Sequence, residues 1–247
     1  MKISVITVCL NSEKTIERTI KSLIEQTHDD IEYLVIDGNS RDNTVNIIKS
    51  YSRHIDYFIS EKDKGLYSAL NKGIKASTGD IISILHSNDI FYNHDVLKKI
   101  NNIFEEENID FLFTSVCYKK NFDNSKIHRV YKPGFKPWML RFGYSPPHTG
   151  FFAKKTKLNK IGKYDENLKI ASDFEFFVRL FLNKNVNYLT KDFISITMSL
   201  GGLSTSGLRS YVISTKEIVK SLKQNKIYSN YLLACVRFII KIFQLKL

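Results

Sequence analysis

Two apolar runs near the start of the chain, ISVITVCL at residues 3–10 and YLVID at 33–37, decide the fold class. Both are short and rich in β-branched residues, as expected for strands that helices cover on both faces. The second run ends on Asp37. An amphipathic helical pattern lies between them, and Asn11 or Ser12 is its predicted cap. Its apolar positions are Ile16, Ile20, Leu23 and Ile24.

The same alternation continues along the first half of the chain. Further strands are predicted at 55–60, 80–85 and 110–116, and further helices at 43–53, 64–77 and 93–107. Strands that alternate with helices predict an α/β fold, with a mainly parallel central sheet and helices on both faces. Such sheets bind ligands at the carboxyl ends of their strands. The loops expected to carry function therefore follow residues 9, 37, 60 and 85.

The pattern weakens after residue 117, and the charge changes there. The chain has a net charge of +12, and residues 118–160 carry 11 basic and 1 acidic side chains. Residues 209–247 carry 8 basic and 1 acidic side chains. A helix is predicted over 168–183, and the C-terminal residues are predicted to form a mostly helical tail. This basic excess suggests an anionic partner, either nucleic acid or a membrane surface. With 43% hydrophobic residues, disorder is excluded as the main state.

The tail over 208–247 is predicted to be a basic amphipathic helix that contacts a membrane peripherally. Arg237 and Lys241 are expected on one face, and Leu232, Val236, Ile239 and Phe243 on the other. The alternative is that the apolar face packs on the rest of the chain or on a second subunit, as a homodimer.

Several common signatures are absent from the sequence. There is no GxGxxG, GxxxxGK[ST], GxSxG or HExxH, which excludes the usual dinucleotide, P-loop, hydrolase and zinc-protease sites. The three cysteines are widely spaced and odd in number, so a reduced setting is expected. No signal peptide and no apolar run long enough to span a bilayer is recognised. The prediction is a cytoplasmic protein, peripheral on the inner face of the cell membrane.

Acidic residues follow three of the predicted strands, namely Asp37, Asp63 and Asp89. Carboxylates at the rim of a parallel sheet suit a hard divalent cation that holds phosphate oxygens. The alternative for Asp37, for Asp42 beside it and for Asp89 is that each caps a turn or a helix.

The order of four blocks resembles family 2 glycosyltransferases, which are nucleotide-sugar-dependent enzymes of the GT-A fold. The blocks are residues 3–44, EKDKGLYSALNKGIKASTGDIISIL at 61–85, HSND at 86–89 and ASDFEFFVRL at 171–180. The nearest subgroup assembles bacterial exopolysaccharides and surface antigens. The resemblance implies a GT-A-like catalytic domain over 1–207, followed by the tail over 208–247. Within that domain, 1–117 would bind the nucleotide sugar and 118–207 the acceptor.

The resemblance also assigns roles to residues of this chain. Asp173 matches the base that deprotonates the acceptor hydroxyl, and Glu175, Arg179 and His148 match its surroundings. Asp89 matches the ligand of a divalent metal, Mn²⁺ or Mg²⁺, with His86 as a further candidate. Nucleotide contacts are implied for Thr7, Cys9, Asn11, Glu13, Asp37, Gly38, Lys64, Asn71 and Asn88.

Departures from the family pattern bear on these roles. Asn88 and His86 stand where many relatives have acids, so cation binding should be weaker and depend more on the phosphates of the nucleotide. Gly38 stands where many relatives have a second Asp, which leaves uridine and guanosine both open. Ser68 likewise replaces a common Asp.

The sequence therefore predicts a metal-dependent inverting glycosyltransferase. It would move a sugar from a nucleoside-diphosphate sugar to a hydroxyl of a glycan or polyprenyl-linked acceptor. A nucleotidyltransferase and a catalytically impaired nucleotide-sugar-binding relative are the alternatives. A nucleic-acid-binding protein is disfavoured, since the basic residues belong to no recognisable binding module.

Overall fold

A mixed sheet of nine strands forms the centre of the computed structural model, which describes residues 1–119, 126–199 and 207–242. The strands are β1 (Ile3–Cys9), β2 (Ile31–Asp37), β3 (Tyr57–Ser60), β4 (Ile81–Ile84), β5 (Asp89–Phe91), β6 (Phe111–Lys119), β7 (Arg129–Tyr131), β8 (Phe151–Lys154) and β9 (Tyr188–Ser199). They follow the order β3-β2-β1-β4-β8-β6-β9-β5, and β7 pairs with β6.

Strand directions confirm the predicted mainly parallel sheet. β3, β2, β1 and β4 are mutually parallel, and β6 and β9 run in the same direction. β8 is antiparallel to both β4 and β6, which keeps those two strands parallel to each other. β5 and β7 also oppose their neighbours.

Helices cover both faces of the sheet, as predicted. They are α1 (Ile16–Ile24), α2 (Thr44–Ser50), α3 (Leu66–Ala76), α4 (Val96–Glu106), α5 (Lys155–Ile161), α6 (Ser172–Leu182), α7 (Leu208–Gln224) and α8 (Tyr231–Ile242). Alternate residues of β1 point to opposite layers. Ile3 and Val5 pack with α1, α2 and α4, whereas Ile6 and Val8 pack with α3, α5 and α6. A Cβ at Gly73 would overlap Cγ2 of Ile6, so the glycine lets α3 lie close to β1.

The first helix differs from its prediction in two details. α1 begins at Ile16, and its N-cap is Thr15 rather than Asn11 or Ser12. Asn11 instead has a left-handed backbone with φ of 49°. Ile16, Ile20 and Leu23 are buried as predicted, but Ile24, the last residue of α1, is 38% exposed.

After residue 117 the stretches KPGFKPW and SPPHTGFF predicted only loops and short strands without bounds, and the described residues there form β7, β8 and β9. β8 lies between β4 and β6, and β9 makes a long parallel pair with β6 that is interrupted by a register shift. β5 is a three-residue strand that begins at Asp89, so Asp89 does not cap a helix. α4 begins only at Val96, with Asp95 as its N-cap.

The two C-terminal helices build a third apolar cluster against α6. Ile218 and Leu222 of α7 and Ala234 of α8 are buried there with Phe174 and Val178 of α6. Ile218 and Leu222 of α7 therefore pack on the rest of the chain, which was the alternative interpretation of the tail. Within the described ranges, no helix combines the length and apolar character that crossing a bilayer requires.

α8 is turned opposite to the prediction. Arg237, expected on a solvated basic face, is 4% exposed and donates hydrogen bonds to Ser214 Oγ (3.1 Å) and Thr215 Oγ1 (2.7 Å) of α7. Leu232 and Ile239 are exposed, at 84% and 56%. Lys241 and Phe243, assigned to the two faces, lie outside the residues whose side chains the structure describes.

Candidate active site

Asp37 organises the edge of the sheet where β1, β2 and β3 end. Its carboxylate is fully buried and accepts hydrogen bonds from Ser40 N (2.9 Å), Ser40 Oγ (2.5 Å), Ser60 Oγ (2.6 Å) and Cys9 Sγ (3.5 Å). These bonds fix the loop after β2 and the end of β3. Since both oxygens are engaged, Asp37 positions this loop, and its contact with a base or ribose stays a prediction.

Cys9 and Thr7 point into the molecule from β1. Burial and the neighbouring Asp37 carboxylate raise the pKa of the Cys9 thiol far above its ordinary value, so it is a neutral donor. Thr7 is fully buried and accepts a hydrogen bond from the Tyr33 hydroxyl at 3.2 Å. Thr7 lies inside the core layer, below the open edge.

Asn11 and Glu13 connect the loop after β1 to the loop after β2. Asn11 Oδ1 accepts from the backbone N–H of Arg41 at 2.9 Å, and Glu13 Oε2 accepts from that of Asn43 at 3.0 Å. Both residues are exposed at this edge. The structure thus brings the predicted residues of these two loops together.

Asp63 adds a carboxylate to the same edge. Its side chain is only 6% exposed, and Oδ1 forms an ion pair with Lys72. Oδ2 has no hydrogen-bond partner among the described residues and lies 3.7 Å from the position that a Cβ of Gly38 would take. Lys64, the next residue, is exposed. Gly38 and Asp63 are therefore neighbours at this edge, where Oδ2 of Asp63 is buried without a hydrogen-bond partner among the described residues.

Asn71 is buried on α3 and forms hydrogen bonds to the loop after α5. Its amide donates to the carbonyl of Tyr164 (2.9 Å) and accepts from the N–H of Tyr164 (3.0 Å). Glu175 and Arg179, one turn apart on α6, form a two-pronged ion pair with both distances at 2.8 Å. Arg179 also donates to the carbonyl of Lys163 at 2.7 Å. These residues hold Tyr164 in place.

Asp173 lies in the first turn of α6 and is partly exposed. Its Oδ1 accepts from the Tyr67 hydroxyl at 3.3 Å and from the N–H of Phe174 at 2.8 Å. The single hydroxyl hydrogen of Tyr67 is shared with the carbonyl of Ile170, which is the nearer acceptor at 2.6 Å. Burial, together with the Asp173 carboxylate, keeps the pKa of Tyr67 well above its ordinary value, so Tyr67 stays a hydrogen-bond donor.

Two histidines extend the cluster from Tyr164 toward β4. Nε2 of His148 lies 2.9 Å from the Tyr164 hydroxyl, and the His86 and His148 rings are 6.0 Å apart. Burial lowers the pKa of His148 to about 4, and burial with His148 nearby lowers that of His86 to about 3. Both imidazoles are therefore neutral near pH 7. The structure thus joins His86, His148 and Asp173 through Tyr164 and Tyr67, whose rings stack at 5.8 Å.

The segment 86–89 alternates between open and buried side chains. His86 and Asn88 are partly exposed, whereas Ser87 and Asp89 are buried. Asn88 Nδ2 donates to Ser199 Oγ at 2.9 Å. Asp89 is 1% exposed, and burial raises the pKa of its carboxyl to about 8, against the opposing effects of the Ser199 N–H and Arg18. The Asp89 carboxylate is therefore enclosed on the β9 side, while His86 and Asn88 keep part of their surface exposed.

The side chains around residues 86–89 offer few ligands for the predicted divalent cation. Within the described ranges, no three side chains of His, Cys, Asp or Glu are arranged to hold a metal ion. The open side chains of the segment are an imidazole and an amide, and the carboxylate of Asp89 is turned inward. These residues do not fit a cation held by the protein alone. A divalent cation at this site would need most of its oxygen ligands from the diphosphate of a bound nucleotide.

Two residues beside Asp173, Tyr67 and Tyr164, were not predicted as site residues. Asp63 was predicted as one of the carboxylates suited to a cation, but in the structure it pairs with Lys72 and lies beside Gly38. Nothing in the sequence indicated a site role for Tyr164, because its partners Asn71 and His148 are distant in sequence.

The fold, with its polar loops at the ends of the parallel strands, belongs to the GT-A-like α/β class. The model of Glycosyl transferase family 2 matches residues 4–180. An uncharacterized glycosyltransferase of Mycobacterium tuberculosis is 33% identical over 183 residues, which are 72% of this chain and 68% of that protein. The chain belongs to glycosyl transferase family 2, as the sequence resemblance predicted.

Other similar proteins support the fold. A PGL/p-HBAD biosynthesis glycosyltransferase of Mycobacterium bovis is 26% identical over 225 residues, 89% of this chain and 83% of that protein. S. aureus TarS 1-349 with UDP-GlcNAc superposes with a TM-score of 0.69 at 19% identity, covering 98% of this chain and 73% of that chain. Mannosyltransferase PcManGT from Pyrobaculum calidifontis, with GDP-Man and Mn²⁺, superposes with a TM-score of 0.65 at 14% identity. The match covers 96% of this chain and 68% of that chain. The chain spans 40% of a longer TarS structure.

Proposed function

We propose that this chain is an inverting glycosyltransferase that moves a sugar from a nucleoside-diphosphate sugar to a hydroxyl of a glycan acceptor, in bacterial surface-polysaccharide assembly. The observation that carries the proposal is Asp173, a partly exposed carboxylate held by Tyr67 at the start of α6. A relative from Mycobacterium bovis that is named for PGL/p-HBAD biosynthesis supports this direction. A lipid-linked acceptor and a position at the cytoplasmic face of the membrane belong to the same proposal.

In the proposed reaction, Asp173 removes the proton of the acceptor hydroxyl as that oxygen attacks the anomeric carbon. The bond from that carbon to the diphosphate breaks as the new glycosidic bond forms, and the single displacement inverts the configuration. Tyr67 donates to the Asp173 carboxylate and fixes its orientation. Because His148 and His86 are neutral, they line the cleft as hydrogen-bonding groups without adding charge.

The proposed donor site is the strand-end rim of Asn11, Glu13, Gly38, Asp63 and Lys64. Oδ2 of Asp63 is buried and has no hydrogen-bond partner among the described residues, so the N–H of a nucleobase that entered beside Gly38 would satisfy it. Uracil and guanine both present such a donor. UDP and GDP-mannose are bound by structural neighbours of the chain. A thermal-shift panel of UDP- and GDP-sugars tests the donor class. Stabilisation by no member of the panel would overturn the proposed function.

Asp63→Asn is expected to weaken binding of the preferred nucleoside diphosphate by about tenfold, since a hydrogen bond to a charged group contributes ~1.5–3 kcal/mol. Calorimetric titration measures the change. Glu61→Gln is the matched control, because Glu61 shares Lys72 with Asp63 but is exposed. Equal losses in both variants would mean that Asp63 acts through Lys72 alone.

Cation binding is expected to depend on the nucleotide. Titration of the protein with Mn²⁺ alone should show no saturable binding, whereas Mn²⁺ with a nucleoside diphosphate should bind, because the diphosphate supplies the missing oxygens. Electron paramagnetic resonance of free Mn²⁺ gives the readout. Tight binding without nucleotide that disappears in Asp89→Asn would instead establish Asp89 as a ligand in a rearranged loop.

A further inference from the structure

The exposed apolar side chains of this protein are concentrated at its C-terminal end. Among the described residues, seven of the twelve large hydrophobic side chains that are exposed lie at position 138 or between 208 and 239. They are Trp138, Leu208, Val212, Tyr228, Tyr231, Leu232 and Ile239. Scattered single residues are ordinary on a protein surface, but a concentration of this kind indicates a binding surface.

α8 presents its apolar side outward. Leu232, Cys235, Val236 and Ile239 follow the spacing i, i+3, i+4, i+7, which places them on one side of the helix. Leu232, Cys235 and Ile239 are exposed, whereas Ala234 and Arg237 on the opposite side are buried against α7. Arg237 is the only charged residue between 231 and 239, so the outward side carries no charge.

The 3₁₀ segment Pro137–Phe142 lies beside this helix and extends its surface. The carbonyl of Arg141 accepts from Ser229 Oγ at 2.7 Å, and a Cβ at Gly143 would lie 2.9 Å from the carbonyl of Ala234. Trp138, 60% exposed, is therefore near the start of α8. Its amphipathic ring is typical of positions at a membrane–water interface.

Basic residues border this surface. Lys136 and Arg141 flank Trp138 on the 3₁₀ segment, and Lys226 precedes α8, and all three are exposed. An apolar helix side with an adjacent tryptophan and a basic border fits an anionic lipid surface. A second copy would place the same cations opposite one another, which like-charge repulsion disfavours.

We propose that the outward side of α8 and the segment 136–141 dock on an anionic phospholipid bilayer, with Leu232, Ile239 and Trp138 inserted among the lipids. Unlike the predicted basic face of the tail, the lipid-facing side of α8 is its apolar side, and the cations come from neighbouring segments. This docking rests on the membrane position included in the proposed function, but vesicle binding requires no catalytic step and is measured apart from donor binding and glycosyl transfer.

Trp138 is the only tryptophan of the chain, so its fluorescence reports on this surface alone. The full chain is mixed with vesicles of phosphatidylethanolamine and phosphatidylglycerol, or of phosphatidylcholine. We expect a blue shift and co-sedimentation with the anionic vesicles only. The double variant Leu232→Glu/Ile239→Glu should reduce partitioning at least tenfold. Ile24→Glu/Tyr57→Glu, with the same charge change on other exposed hydrophobic residues, should bind like the wild type.

Three results would overturn the proposal. The first is a wild-type chain that binds no vesicles. The second is equal binding by the α8 double variant, with thermal unfolding curves showing that all the variants are folded. The third is a Trp138 blue shift that grows with protein concentration without lipid, together with a dimer that the α8 variant dissociates, because the covering surface would then be a second copy. Donor binding measured on the same samples separates any of these from failure of the proposed function.

Discussion

Asp173→Asn is expected to lower the rate of glycosyl transfer by ~10²–10⁴-fold, the usual contribution of a general base. Asparagine keeps the shape and the hydrogen bond from Tyr67 but cannot take the proton of the acceptor hydroxyl. The loss should fall on kcat, with donor binding unchanged, because the donor rim is built from other loops. Transfer assays and calorimetric donor titration on the same preparation measure both quantities.

The alternative for Asp173 is a purely structural role in the first turn of α6, where an acidic residue stabilises the helix. That role predicts a lower melting temperature of Asp173→Asn with little change in rate. Tyr67→Phe separates the two further. It removes a donor to Asp173 and should reduce kcat less than Asp173→Asn does. A fully active Asp173→Asn would remove the proposed mechanism.

Asp89→Asn is expected to stabilise the protein increasingly as the pH rises. Burial raises the pKa of Asp89 to about 8, whereas an unfolded Asp titrates near ~3.9. The folded chain therefore holds this proton more tightly. The resulting stability is fully present below about pH 4 and is lost progressively toward pH 8. Asparagine does not ionise, so the variant escapes this loss.

The free energy of unfolding of Asp89→Asn minus that of the wild type should grow by up to ~1.4 kcal/mol per pH unit within this window. Chemical denaturation at several pH values gives the difference. His86 and His148 titrate in the opposite sense, but they are common to both proteins and cancel. Asp192→Asn is the control. Lys132 lowers the pKa of Asp192, so its difference should be flat above about pH 5. A flat difference for Asp89→Asn as well would show that Asp89 is ionised.

The first half of the fold was predictable because each strand and helix there carries its own periodicity. β1 to β4 and α1 to α4 all have predicted counterparts. β8 and β9 did not, for different reasons. β8 is four residues long and exists only because β4 and β6 pair with it on either side. β9 contains Lys191 and Asp192 at its register shift, where a polar pair interrupts the strand pattern.

The site was predictable where a block of sequence carried it, and less so where contacts join distant segments. Asp37, Asn11 and Glu13 meet at one edge because parallel strands end there. Asp89 was predicted as a metal ligand from its place in HSND, and that role stays a prediction. The sequence did not show that pairing in β5 buries its carboxylate and leaves His86 and Asn88 partly exposed. The periodicity of α8 separated Arg237 from the side with Leu232 and Ile239. It could not show which side packs on the protein, because that depends on the hydrogen bonds of Arg237 to Ser214 and Thr215 of α7.

Glu217 of α7 links the C-terminal helices to the candidate base. Its carboxylate accepts from the backbone N–H groups of Lys169 (2.8 Å), Ile170 (2.9 Å) and Ala171 (2.9 Å), immediately before α6. During synthesis on the ribosome, a nascent chain that has emerged only through α6 lacks this acceptor. The turn that aims Asp173 is therefore completed only once α7 has been translated and has docked. Catalytic competence should consequently appear late in biosynthesis, after the donor-binding half has already folded.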